Sequence, residues 1–192
     1  MSATPVAGPV LLADPHDLAD HVRTLAAAIS ADHPDGVTLV GILKGSVIFL
    51  SDLARQITVP TRLEFLAVAP YDGAAGRTRV VKDLDHPVAG EHLVLVTGIV
   101  DTGLTADFLL RHLAAGEPAS VRVCTLADKR ARRIVPVALD YVAFDAPDAF
   151  LLGYGLDYAG RYRNLPGLWS AEGSELADDP DRYVDELYRT AG

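Results

Sequence analysis

The stretch HLVLVTGIVDTGLTADFLL, residues 92–110, decides how the rest of the chain reads. Residues 93–96 are a short run of apolar side chains, the pattern of a strand buried on both faces, and Ile99 with Val100 extends it. Asp101, Thr102, Gly103, Leu104 and Thr105 then make a turn, and ADFLL resumes with helical spacing. Glycine lets the backbone turn tightly, and amides at the start of the next helix point outward together, where the helix dipole favours an anion. Thr102 and Thr105 add hydroxyl donors to the same turn. Asp101 as a simple helix cap is the plainer account; the apolar strand ahead of it and the second threonine favour a phosphate pocket. Thr97 and Gly98 stand just before the turn, where a hydroxyl and a missing side chain need a reason of their own.

Working outward from that stretch, strand and helix alternate. Asp14 and Pro15 open a helix, with the cap residue first and proline at its first position, and Leu18, Val22, Leu25 and Ile29 follow helical spacing. VTLVGIL (37–43) is a second buried strand, broken by Lys44 and Gly45, and SVIFLSDLARQI (46–57) is its helix. TRLEFLAVA (61–69) alternates as a strand and leads into PYDGAAGRTR (70–79), a glycine-rich loop read as mobile. RVVKDL, SVRVCTLAD, LDYVAFDAP and AFLLGYGLD read as further strands. Near the end, Asp181 is a candidate cap for a short amphipathic piece holding Tyr183, Val184, Leu187 and Tyr188. This order predicts an α/β fold of one domain, a central mostly parallel sheet flanked by helices, with no internal repeat. Ligands of such sheets sit beyond the carboxyl ends of the strands. Lys44 with Gly45, the 101–103 turn, and Asp128 with Lys129 all fall at such ends, which predicts one shared site.

Bulk properties agree. A chain of 192 residues with 49% apolar and 22% charged side chains suits one globular domain, burying roughly 70% of its unfolded surface. Cys124 is the single cysteine, so no internal disulfide forms and a reducing cytoplasm is expected. No leader pattern or membrane-length apolar run is read, so no membrane partner is expected. The net charge of -9 disfavours nucleic acid. The run Lys129, Arg130, Ala131, Arg132, Arg133 divides evenly between a solvated loop and an anion site. The six histidines are scattered singly, with helix or loop surface expected for each. No other phosphate-loop, zinc or nucleophile-elbow pattern competes.

VLVTGIVDTGLT resembles the phosphoribosyl-pyrophosphate (PRPP) motif of the type I phosphoribosyltransferases. GILKGSVIFLSDLAR, RVVKDLD, VRVCTLADKR, YVAFDAPDAFLLGYGLDY and GRYRNL follow in the order and spacing of the hypoxanthine-guanine phosphoribosyltransferases, over a core of about residues 37–165. Residues 1–13 and 170–192 are then peripheral. The resemblance implies the type I phosphoribosyltransferase fold, with a small hood and a flexible loop. It implies that a 6-oxopurine displaces pyrophosphate from PRPP to give a nucleoside 5'-monophosphate, with Mg2+ as cofactor. Residues 101–105 would take the 5'-phosphate, and Asp101 would accept the proton at N7 of the base. Lys129 would donate to the 6-oxo group, Phe150 would stack on the ring, and the Leu151 backbone would read its edge. Lys44, Gly45 and Arg163 would contact pyrophosphate, and Asp157, beside the base, would hold magnesium. A homodimer or homotetramer is the family expectation.

Two departures stand out. The family pattern has a Glu-Asp pair where this chain has Thr97 and Gly98, which removes the carboxylates that meet the ribose and help organise magnesium. It also has Ser-Tyr where this chain has Pro70 and Tyr71, in the loop that closes over the reaction; Arg77 and Arg79 lie in the same loop. Two other readings follow: the same reaction on a modified purine-like base in specialised metabolism, or a non-catalytic regulator that binds PRPP or a nucleotide.

Overall fold

The computed structural model describes residues 8–69 and 78–189; Pro70, Tyr71 and Arg77 lie outside the described residues. The chain divides into two compact units, one of Ala19–Asp148 and a smaller one from the described parts of Met1–Leu18 and Ala149–Gly192.

In the smaller unit, β1 (Val10–Ala13), β8 (Phe150–Leu152) and β9 (Leu168–Ala171) form an antiparallel sheet in the order β1-β9-β8. The larger unit holds a six-stranded sheet in the order β4-β3-β2-β5-β6-β7. Its strands are β2 (Val37–Leu43), β3 (Thr61–Ala69), β4 (Arg79–Lys82), β5 (His92–Val100), β6 (Ser120–Asp128) and β7 (Tyr141–Asp145). β4 runs antiparallel to β3; the other neighbours are parallel.

Position in the sheet accounts for the sequence pattern of each strand. β5, with β2 and β6 on either side, is buried from Leu93 to Gly98, and burying both faces requires the near-continuous apolar run. β3 lies one strand from the edge and is only partly covered, so it alternates. Leu109 and Leu113 of α3 (Leu104–Ala114) pack with Leu93, Leu95, Val40 and Leu66 on one core cluster. Burial of each such leucine contributes about 2 kcal/mol. α1 (Pro15–Asp32) starts as expected, with Asp14 Oδ1 accepting from the His16 and Asp17 amides at 2.7 and 2.9 Å. Farther along α1, the His21 ring lies 4.1 Å from that of Phe144 on β7. α2 (Val47–Gln56) buries Phe49, Leu50 and Leu53 after β2.

The strand order fixes where a ligand belongs. From β2 the chain moves outward to β3, then returns to β5 on the other side of β2 and proceeds to β6 and β7. The order therefore reverses between β2 and β5, and the carboxyl ends of those strands flank the crevice at that switch point. β2 and β5 are registered only as far as Gly41 and Val96, so Thr97 and the residues after it continue β5 without β2 alongside.

Several expectations change. β1, β9 and α4 (Gly173–Asp178) were not read from the sequence. Asp181 does not cap a helix with its side chain: both its carboxylate oxygens meet Arg161, ahead of α5 (Val184–Arg189). His33 is buried at 4% exposure rather than on the surface, because it follows the last turn of α1 and its ring lies 5.4 Å from that of His92. Cys124 is buried in β6, and burial pushes its thiol pKa well up, so it is an unreactive core side chain. No described helix is long and apolar enough to cross a membrane.

Candidate active site

At the switch point, Ile42, Thr97, Ile99, Asp101, Thr102 and Thr105 are among the residues lining a cleft of about 160 Å³. Gly103 closes the turn with φ +88°, a left-handed conformation that side chains rarely adopt, and a Cβ there would collide with the Val135 carbonyl oxygen. Two separate constraints therefore demand glycine. The first bond of α3 is Asp107 N–H to Gly103 O at 2.9 Å, so the amides of Leu104, Thr105 and Ala106 precede any intrahelical partner. Leu104 N–H donates to the Thr102 hydroxyl, at 3.4 Å. These amides, the hydroxyls and the dipole of an eleven-residue helix make a neutral anion cradle.

Asp101 has one buried carboxylate oxygen, Oδ1, that accepts no hydrogen bond among the described residues. Arg132 Nε is 3.3 Å away but lies outside hydrogen-bond geometry. The Arg132 guanidinium compensates the charge of this oxygen without hydrogen-bonding it, so a donor supplied by a ligand would satisfy it. Lys129 follows the end of β6 and is buried at 5% exposure. Burial pushes its pKa below the ordinary lysine value, against the opposing pull of Asp101 and Asp148 and with the help of Arg132.

The rest of the basic run is a largely solvated loop whose charges are paired: the side chains of Arg130 and Arg132 are 70% and 51% exposed, and only Arg133 is mostly covered. Arg130 meets Asp128 and Asp145, Arg132 lies near Asp101 and Asp148, and Arg133 meets Asp128. Their acidic partners cancel most of the charge that the sequence displays as a block.

Lys44, exposed, and Gly45, half-buried, form the turn after β2, where Ser46, fully buried, donates from Oγ to Ile42 O at 2.7 Å and ties the turn back to the strand. In the smaller unit, β8 is an edge strand, and Leu151 pairs with Ser170 on its covered side. Phe150 is half-buried, with the Tyr158 ring edge-on at 5.1 Å. Two tight turns follow, closed by the bridges Gly153 to Leu156 and Tyr158 to Arg161. Tyr154, Ala159 and Tyr162 hold φ values of 46°, 47° and 70°, each a cost of about 1 kcal/mol or more that surrounding structure must sustain. Tyr162 does so through its hydroxyl, which donates to Pro180 O and accepts from the Tyr183 amide. Asp157 and Arg163, assigned separate roles from the sequence, meet each other: Arg163 also donates to Gly155 O, and the second Asp157 oxygen accepts from the Gly160 amide at 2.9 Å.

Asp101, Thr102, Gly103, Thr105 and Thr97 thus share one cleft of the larger unit, while Phe150, Leu151, Asp157 and Arg163 belong to the smaller unit. Ile42 was not singled out for a role, Asp128 was read only as a strand-end residue and Arg133 only as part of the basic run; the sequence does not display that Arg133 reaches back to the Val100 and Asp101 carbonyls.

A mostly parallel sheet with a glycine turn and a helix N-terminus at its switch point is the architecture of α/β proteins that bind anionic ligands. Residues 12–159 match the phosphoribosyl transferase domain family. The hypoxanthine-guanine phosphoribosyltransferase of Mycobacterium avium is 44% identical over 152 residues, covering 78% of this chain and 73% of that protein. That of Bacillus subtilis is 35% identical over 160 residues, 81% of this chain and 89% of that one. A crystal structure of a Bacillus anthracis hypoxanthine-guanine phosphoribosyltransferase superposes with a TM-score of 0.81 at 35% identity, covering 84% of this chain and 97% of that chain. A Trypanosoma cruzi hypoxanthine phosphoribosyltransferase in complex with IMP gives 0.83 at 32% identity, over 93% and 98%. The chain belongs to the phosphoribosyltransferases, and within them to the hypoxanthine-guanine family. It is a glycosyltransferase.

Proposed function

We propose that the chain transfers the phosphoribosyl group of PRPP to a 6-oxopurine, hypoxanthine or guanine, giving the nucleoside 5'-monophosphate and pyrophosphate. The carrying observation is the donor-less buried oxygen of Asp101 beside the anion cradle. As the base nitrogen bonds to C1' of the ribose, the C1'–O bond to pyrophosphate breaks and the proton at N7 passes to, or is shared with, Asp101. The 101–105 turn holds the 5'-phosphate, and its location beyond the end of β5 supports that role. Lys129 donates to the 6-oxo oxygen; an amino group there would present hydrogens to an ammonium, which selects against adenine. Phe150 offers the stacking face and Leu151 the backbone of an edge strand. Lys44 and Gly45 serve the pyrophosphate, as does Arg163.

Magnesium needs separate treatment. Mg2+ is usually held by one or two carboxylates together with substrate phosphates. Thr97 and Gly98 supply none, and the Thr97 hydroxyl donates to Ile99 O at 3.2 Å. No group of three metal-ligating side chains occurs among the described residues. With no carboxylate at positions 97 and 98, that part of the ribose side does not fit a protein-held magnesium ion. Asp157 has the right chemistry, but both its oxygens are engaged by Arg163 and the Gly160 amide. Magnesium enters on this reading as the counterion of PRPP, and no step is assigned to a protein-bound metal.

The test is incubation with PRPP, Mg2+ and one of hypoxanthine, guanine, xanthine or adenine, following pyrophosphate release. Turnover is expected with hypoxanthine or guanine and not with adenine. Nucleotide binding without turnover on any base would favour the regulator, and turnover only on another purine-like base would redirect the substrate assignment. Assembly as a homodimer or homotetramer in the cytoplasm completes the proposal.

A further inference from the structure

A turn that aims its amides at a phosphate must send its carbonyls the other way, and each buried carbonyl then needs a donor behind it. In this chain the donors come almost entirely from the segment after β6. Val100 O accepts from the Lys129 amide at 3.0 Å and from Arg133 at 3.3 Å. Asp101 O accepts from Arg133 Nε at 3.0 Å. Thr102 O accepts from the amides of Ile134 and Val135 at 2.9 and 3.0 Å. Arg133 is itself held: its guanidinium meets Asp128 Oδ1, on a carboxylate that is 5% exposed and whose other oxygen accepts from Arg130 at 3.0 Å. The Arg133 side chain is 17% exposed, and its Cδ would sit 2.9 Å from any Cβ at Gly103.

We infer that Arg133, anchored by Asp128, is a positioning residue for the phosphate turn, fixing the Asp101 carbonyl away from the cleft so that the following amides face the ligand. This rests on the phosphate role proposed for residues 101–105. A planar guanidinium holds one carboxylate and two carbonyls in one fixed geometry, whereas a lysine ammonium carries its three donors on a single point at the end of a flexible stem. Without Nε, the peptide after Asp101 is free to rotate, and a carbonyl lobe turned toward a dianion repels it. Lys129, the residue assigned to the base, follows Asp128 in the chain, and its amide donates to the same Val100 O that Arg133 meets.

The readout is the ratio of affinities for inosine 5'-monophosphate and inosine, which isolates the phosphate. Arg133→Lys keeps the charge beside Asp128; it is expected to lower the ratio at least tenfold while inosine binding changes less than twofold. Arg133→Gln combined with Asp128→Asn removes both charges without leaving either one buried alone, and is expected to lower the ratio similarly. It decides the matter if Arg133→Lys fails to fold. A ratio equal to wild type in a folded variant, even with a lower melting temperature, overturns the positioning role. A wild-type protein that binds inosine as tightly as its monophosphate refutes the phosphate turn itself, and this inference with it.

Discussion

The 101–105 turn and the pair Thr97 and Gly98 occupy successive stretches of one strand end, yet they are built in opposite ways. The turn is over-determined: Gly103 has no room for a Cβ, the carbonyls behind it are satisfied, and its amides face the cleft side of a helix start. The pair is under-equipped. Thr97 spends its hydroxyl on Ile99 O, and Gly98 brings nothing. On the proposed function, the difference separates binding of a dianion through neutral amides from binding of a metal through carboxylates. The turn has its amides and hydroxyls in place, and the strand carries no carboxylate at positions 97 and 98.

Changes on the turn should therefore cost far more than changes on the pair. Asp101→Asn is expected to lower turnover about 10²–10⁴-fold while leaving monophosphate affinity nearly intact, measured by initial rate and calorimetry. Unchanged turnover would remove Asp101 from its role. Gly103→Ala comes next: the left-handed φ alone costs about 1–3 kcal/mol, so monophosphate affinity and melting temperature should both fall.

Lys129 sharpens the comparison through pH. Burial lowers its pKa below 10.5, so the cost of the buried ammonium is fully present below the lowered value and is relieved as pH rises through it. Relative to Lys129→Gln, wild type should therefore gain stability as pH rises and lose its advantage in binding a 6-oxopurine. The crossover should fall below the ordinary lysine value, and one at or above 10.5 would mark Lys129 as a solvated side chain. The smallest effect belongs to the pair: Thr97→Val removes one hydrogen bond worth about 1 kcal/mol and should change turnover only a few-fold.

Much of this division was legible in the sequence, and the reasons are physical. β2, β5 and β6 announced themselves because strands buried on both faces must be apolar almost throughout. Gly103 was legible because a tight turn demands it. The four-residue strands β1 and β9 were not, since each is defined by a partner far along the chain rather than by its own pattern. The pairing of the basic run was hidden for the same reason: Asp101, Asp145 and Asp148 neutralise it only once folding brings them near. Arg133 looked like one arginine in a block, and only its bonds to the Val100 and Asp101 carbonyls separate it from its neighbours.

The central claim is that the turn carries the transfer without carboxylates on the ribose side. Its most direct test is the initial rate of pyrophosphate release from PRPP and hypoxanthine across a magnesium titration, for wild type and for Thr97→Glu combined with Gly98→Asp. Wild type should turn over with a magnesium dependence that tracks formation of the Mg2+ complex of PRPP alone, and the double variant should be faster and saturate at lower magnesium. No turnover by wild type, or identical curves for the two proteins, would contradict the account.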